Sequence, residues 1–109
     1  MSRLFHLIPV ADGEALLEHG THRPASLASE GFVHLSFADQ AAESWRLHFD
    51  PAQALWLLEL DPASVAADLR LEPSRGGAEF PHLYRELRRD DVLRRWELGA
   101  GQPFPDLDA

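Results

Sequence analysis

The 109-residue chain contains no cysteine. Disulfides, thiolate catalysis and Cys-based zinc or iron–sulfur sites are therefore excluded, and the composition fits a reducing compartment. Lysine is absent as well: all ten basic residues are arginine, as a GC-rich genome would give, and this carries no functional weight. No run approaches the roughly 18 apolar residues of a membrane span. Polar residues interrupt the first stretch, MSRLFHLIPVADGEALL, too early for a signal peptide's apolar region. A cytoplasmic protein without a membrane partner is the expectation. The glycines match neither a P-loop nor a GxGxxG dinucleotide fingerprint, and no GxSxG is present to suggest a serine hydrolase.

Apolar residues make up 45% of the chain, enough for a globular core. The length suits one domain, set here at residues 1–98, with 99–109 as a flexible Gly/Pro/acid-rich tail. The net charge of −8 disfavours nucleic acid. It is unevenly spread: residues 1–69 hold three arginines against ten acids, whereas 70–95 hold seven arginines against five. The second block is where a local anion site would fit, although a solvated face is the commoner meaning of such a run.

Element signals divide the chain unequally. Residues 3–9, RLFHLIP, read as a strand closed by Pro9, and Asp12 as the N-cap of a helix ending near Gly20. THRPASLASEG reads as a loop, FVHLS as a short strand, and residues 37–49 as the best helix, stopped by Pro51. ALWLLELDP, 54–62, is a continuous apolar run that predicts a central, doubly covered strand. After a helical turn at PASVAADL come a strand at 69–73, a turn at Gly76–Gly77, extended chain through PHLYREL, a helical turn that Asp90 could cap, and a last strand at 93–98. Helices early and strands late indicate α+β rather than a doubly wound sheet.

Three of the six histidines stand out. His19, His22 and His48 lie at helix ends or in a loop, where a solvated role is expected. His6, His34 and His82 lie inside apolar, extended segments: LFHLI, FVHLS and FPHLY. One such histidine is usually a satisfied core group; three from separate strands point to a shared site. Alternation places His34 with Ser36, and His82 with Tyr84, so each pair offers an imidazole and a hydroxyl on one face. That pairing suits ribose hydroxyls, a phosphate or a carbonyl. A three-histidine zinc site has no compact HxH or HExxH spacing here, and no metal is expected. Glu30, Glu72 and Glu79 flank these segments, each able to orient a sugar, act as a base or simply face solvent.

Taken together, FHL around residue 6, RPASLASEGFVHLS at 23–36, LLELDP at 57–62 and RGGAEFPHLY at 75–84 resemble a small bacterial family catalogued as domain of unknown function 952, over roughly residues 3–98. The chain departs from the family pattern at Leu7, Ile8 and Pro9, where a threonine-rich turn is usual, and at Gly13, where tryptophan is usual. The family is grouped by fold with ADP-ribosyltransferases and RNA 2′-phosphotransferases. The resemblance implies an α+β fold, an ADP-ribosyltransferase-like split barrel of two small β-sheets with two main helices. It implies a nucleotide partner, with NAD as a possible substrate, and a first-strand histidine on the ribose, matched by His6. It also implies a glutamate steadying a cationic sugar, for which Glu79 is the first candidate and Glu72 the second. His6, His34 and Glu79 are accordingly assigned to chemistry, and Arg23, Ser26, Ser36, His82 and Tyr84 to ligand contact. A noncatalytic binding module and a structural or partner-binding domain are the competing readings.

Overall fold

Alternation of side chains along Leu4–Pro9 (β1) sends Leu4 and Ile8 to one face and Phe5 and Leu7 to the other, and both faces are covered. The structure, a computed structural model, describes residues 2–108. Met1 and Ala109, the outer ends of the expected domain and tail, lie outside it. After β1 the chain forms Val10–His19 (α1), Thr21–His22 (β2), Ala25–Ser29 (α2), Val33–His34 (β3), Ser36–Phe37 (β4) and Ala38–His48 (α3). It continues through Leu55–Leu60 (β5), Pro62–Val65 (α4), a 3-10 turn at Ala66–Asp68 and Leu69–Pro73 (β6). A second 3-10 turn at Arg75–Gly77 leads to Glu79–Leu83 (β7) and Leu87–Arg88 (β8); a third, at Arg89–Asp91, leads to Val92–Leu98 (β9).

The described strands make three antiparallel sheets, of order β4-β1-β5-β9, β3-β7-β6 and β2-β8, in a mixed α+β architecture without a closed barrel. β5 is central, between β1 and β9, as its apolar run predicts. Its even residues Trp56, Leu58 and Leu60 join a core with Ile8, Leu16, Val33 and Leu83, while Leu55 and Leu57 join a second with Phe5, Ala41 and Leu98. None of the described helices is long and apolar enough to cross a membrane.

The structure departs from the sequence reading in several places, among them THRPASLASEG, read as a loop, which holds β2 and α2. α1 starts directly after Pro9, so Asp12 sits in its first turn and caps nothing with its side chain. FVHLS is not one strand: Leu35 is a corner where the chain passes from the three-stranded to the four-stranded sheet, with its amide on the Pro81 carbonyl at 3.0 Å. The C-terminal stretch 99–108, expected to be a loose tail, is laid back on the second core. Leu107 is buried there, Phe104 meets Trp45, and Arg3 holds the Leu107 carbonyl and Asp108 at 3.1 and 2.9 Å.

A buried ion pair fastens the region after β7. Asp91 is 1% exposed and takes a two-pronged contact from Arg85, at 2.8 and 2.9 Å. The Ser64 hydroxyl and the Arg88 amide fill its remaining acceptor sites at 2.5 and 2.9 Å. Burial acts to raise the Asp91 carboxyl, but the hydrogen bonds from Arg85, Ser64 and Arg88 outweigh it and hold the group below its usual range. At the other end of the fold, α1 crosses β5 so closely that a Cβ on Gly13 would stand 2.2 Å from the Trp56 ring. Trp56 thus fills the space over position 13 from the neighbouring strand.

Two stability measurements follow from these contacts. Asp91→Asn removes the buried counter-charge of Arg85, leaving only the part-exposed Asp68 at 3.2 Å, and is expected to lose about 3 kcal/mol in urea unfolding; an unchanged midpoint contradicts the account of this pair. Gly13→Ala drives a methyl into an indole ring fixed in the core and is expected to lose roughly 1–3 kcal/mol, whereas in an open helix the same change would stabilise.

Candidate functional site

β4 is only two residues long and pairs with β1 at Leu4 and Phe5 alone. From His6 onward that edge of β1 has no strand beside it, because the chain has turned at Leu35 toward the other sheet. A cavity of about 410 Å³ opens at this gap. The gap itself supplies His6, Leu7, Leu35 and Ser36, and His34 and Phe80 come from the three-stranded sheet. Ser26 comes from α2, Ser44 and His48 from α3, with Phe49 just beyond it and Ser74 in the turn after β6.

His6 is the best-defined group in the lining. Its Nδ1 lies 2.8 Å from the main-chain oxygen of His34. A carbonyl only accepts, so Nδ1 carries the proton and Nε2 carries a lone pair. Burial pushes the imidazole down to about 4, opposed by the bond to the His34 carbonyl and assisted by the nearby His22 and His34. The ring is therefore neutral at pH 7 and Nε2 is an acceptor. The pocket mouth leaves the residue partly exposed, so the crowding comes from protein on the remaining sides.

His34 leans on Glu30, its Nε2 donating to the carboxylate at 2.8 Å with both side chains about half exposed. Ser36 Oγ lies 3.2 Å from Ser44 Oγ across the cavity wall. Beside this cavity, on the same face of the β3-β7-β6 sheet, is a second polar group. His34 and His82 are cross-strand partners whose rings stand 5.5 Å apart. Glu72 Oε1 accepts from both His82 Nδ1, at 2.9 Å, and the Tyr84 hydroxyl, at 2.5 Å. The Tyr84 bond, then the His82 bond, hold the Glu72 carboxyl below its usual range, and the same carboxylate raises Tyr84. Phe32 covers these rings, stacked on His82 at 4.0 Å.

Of the residues assigned from sequence, His6, Ser26, His34 and Ser36 line the cavity. His82 and Tyr84 form the adjacent cluster, joined by Glu72. Arg23 is not in the lining and pairs with Glu86 at 3.3 Å. Glu79 is exposed at the start of β7, outside the lining, where its carbonyl accepts from Gln40 at 2.9 Å. Ser44, His48, Phe49 and Ser74 line the cavity without having been singled out for it. Ser44 and His48 are four residues apart, one turn of the same helix face, and that spacing was the available signal. Among the described residues no His/Asp/Glu cluster is placed to hold a metal ion.

The state of His6 has a pH consequence. Its folded value, about 4, lies below the ordinary imidazole value of 6.5, so between about 4 and 6.5 the unfolded chain binds more protons. Its contribution is complete above pH 6.5 and is lost as pH falls toward 4. Stability is expected to drop over that window by at most about 1.4 kcal/mol per pH unit, and His6→Gln is expected to flatten the profile there. A profile unchanged by His6→Gln contradicts a neutral, crowded His6.

Among curated proteins none matches this chain. Solved structures do. The crystal structure of protein CC0527 from Caulobacter crescentus is 36% identical, covers 88% of this chain and 85% of its own, and superposes with a TM-score of 0.81. A crystal structure of a double mutant of the same protein gives the same values. Its solution NMR structure gives a TM-score of 0.75 at 36% identity, over 88% of this chain and 84% of its own. Residues 7–95, which carry β1 from Leu7 through most of β9 and nearly the whole cavity lining, match the family described as "Protein of unknown function (DUF952)". The chain belongs to the DUF952 family.

Proposed function

We propose that the cavity beside β1 binds the sugar of a small nucleotide-type ligand, with ADP-ribose and NAD as the first members of that class to consider. The observation that carries the reading is His6: its donor is used on the His34 carbonyl, so it faces the cavity as a neutral acceptor for a hydroxyl. The rest of the lining agrees with a sugar. Ser26, Ser36, Ser44 and Ser74 contribute hydroxyls, which both donate and accept, and Leu7, Leu35, Phe49 and Phe80 supply apolar surface. Among the described residues no arginine or carboxylate is in the lining, which suits an uncharged polyol within and phosphates toward the mouth. A volume of about 410 Å³ lies in the usual range of small-molecule sites.

Binding rather than ADP-ribosyl transfer is the function put forward. Transfer calls for a carboxylate facing the sugar, whereas Glu79 lies outside the lining and Glu72 is engaged with His82 and Tyr84. The ADP-ribosyltransferase-like split barrel remains part of the proposal and rests on the sequence resemblance.

A thermal-shift titration tests the reading. A ligand of the native state raises apparent stability by mass action, on the order of 10 °C at a hundredfold excess over Kd for a domain of this size. ADP-ribose is expected to give a dose-dependent rise in the wild type, one that is lost in His6→Ala and about tenfold weaker in Ser36→Ala. No rise with either nucleotide at millimolar concentration would sink the proposal.

A further inference from the structure

His82 is 4% exposed, and among the described residues its Nε2 has no hydrogen-bond partner. The other ring nitrogen is fully accounted for. Nδ1 lies 2.9 Å from a carboxylate that also takes the Tyr84 hydroxyl, so Nδ1 carries a proton, and a ring with that one proton offers Nε2 as a bare acceptor. Buried acceptors are nearly always partnered. A carboxylate spent on orienting one imidazole, with the working nitrogen left unpartnered, is the arrangement of a group kept ready for a donor.

The position of the ring says where that donor comes from. His82 stands opposite His34 on the paired strands and two residues from Phe80 along β7. Side chains at these positions share one face of the sheet. His34 and Phe80 both line the cavity, so His82 is the next group in the same row. Phe32 covers it, stacked at 4.0 Å and 13° on the His82 ring and also meeting His34 and Tyr84.

We propose that His82, oriented by Glu72 and Tyr84, is an acceptor subsite adjoining the cavity, taking a hydroxyl or N–H donor of the bound ligand when Phe32 moves aside. The inference rests on the nucleotide reading and adds a selectivity to it. A bare acceptor backed by a carboxylate admits a neutral donor group and repels a carboxylate or phosphate at that end of the ligand. Glu72 and Tyr84 are positioning residues; His82 makes the contact.

Nitrogen-detected NMR of 15N-histidine protein tests it, with ADP-ribose as the probe. In the free protein His82 is expected to carry its proton on Nδ1; a proton on Nε2 overturns the proposal. On titration the Nε2 signals of both His6 and His82 are expected to move toward the hydrogen-bonded range. Movement of His6 with a silent His82 overturns the subsite while leaving the cavity in place. Silence at both overturns the nucleotide reading and the subsite with it. Glu72→Gln is expected to redistribute the His82 proton between its two nitrogens and to weaken ADP-ribose about tenfold. Tyr84→Phe, which keeps the carboxylate, is the second variant should Glu72→Gln not fold, and is expected to weaken binding severalfold. Phe32→Ala removes the cover and is expected to speed association; unchanged kinetics contradict its place in the proposal.

Discussion

One hydrogen bond, from His6 Nδ1 to the main-chain oxygen of His34, ties the two larger sheets together at the point where the site forms. His6 belongs to the four-stranded sheet and His34 to the three-stranded one. The bond satisfies a main-chain carbonyl at the edge of a two-residue strand and, in the same contact, selects the imidazole tautomer. Structural support and chemical poise are thus one interaction. Removing it would free a carbonyl beside an apolar core and leave the ring without a defined acceptor face.

The cavity is a consequence of the same crossing. A longer β4 would have paired with β1 beyond Phe5 and covered His6 and Leu7. By turning at Leu35, the chain instead spends its main-chain hydrogen bonds on Pro81 and on β7, leaving a gap that α3 and Phe49 roof over. The gap is maintained because each flank is anchored elsewhere: β5 is packed on both faces, and the Arg85–Asp91 pair secures the segment after β7. The site therefore depends on contacts well away from it, and changes at Asp91 or Gly13 act on stability without touching the lining.

Much of this was legible in residue order. The apolar run of β5, the helix ended at Gly20 and the three histidines inside apolar strands are local patterns. Local patterns survive folding when the period and the caps agree. The split of FVHLS was not legible, because one extended stretch can pair with two different sheets and only the partners decide. The packing of 99–108 was hidden for a similar reason: Leu107 and Phe104 are single apolar residues among prolines and acids, and their sites on the second core are made by residues far away in sequence. His6, Ser26, His34 and Ser36 line one cavity although no pattern in the sequence shows that their segments converge, and Arg23 pairs with Glu86 outside it. Glu72 joined His82 and Tyr84 only through the register of β6 on β7, which no spacing in the sequence encodes.

The proposed ligand site turns on a neutral His6, fixed by the His34 carbonyl, whose Nε2 would meet a sugar hydroxyl in the cavity. A crystal structure grown with ADP-ribose tests it most directly. A ribose hydroxyl is expected within about 3 Å of His6 Nε2, with Nδ1 still on the His34 carbonyl and the serine hydroxyls turned toward the sugar. ADP-ribose bound elsewhere on the surface with this cavity filled only by water, or His6 turned so that Nδ1 leaves the carbonyl, would contradict it.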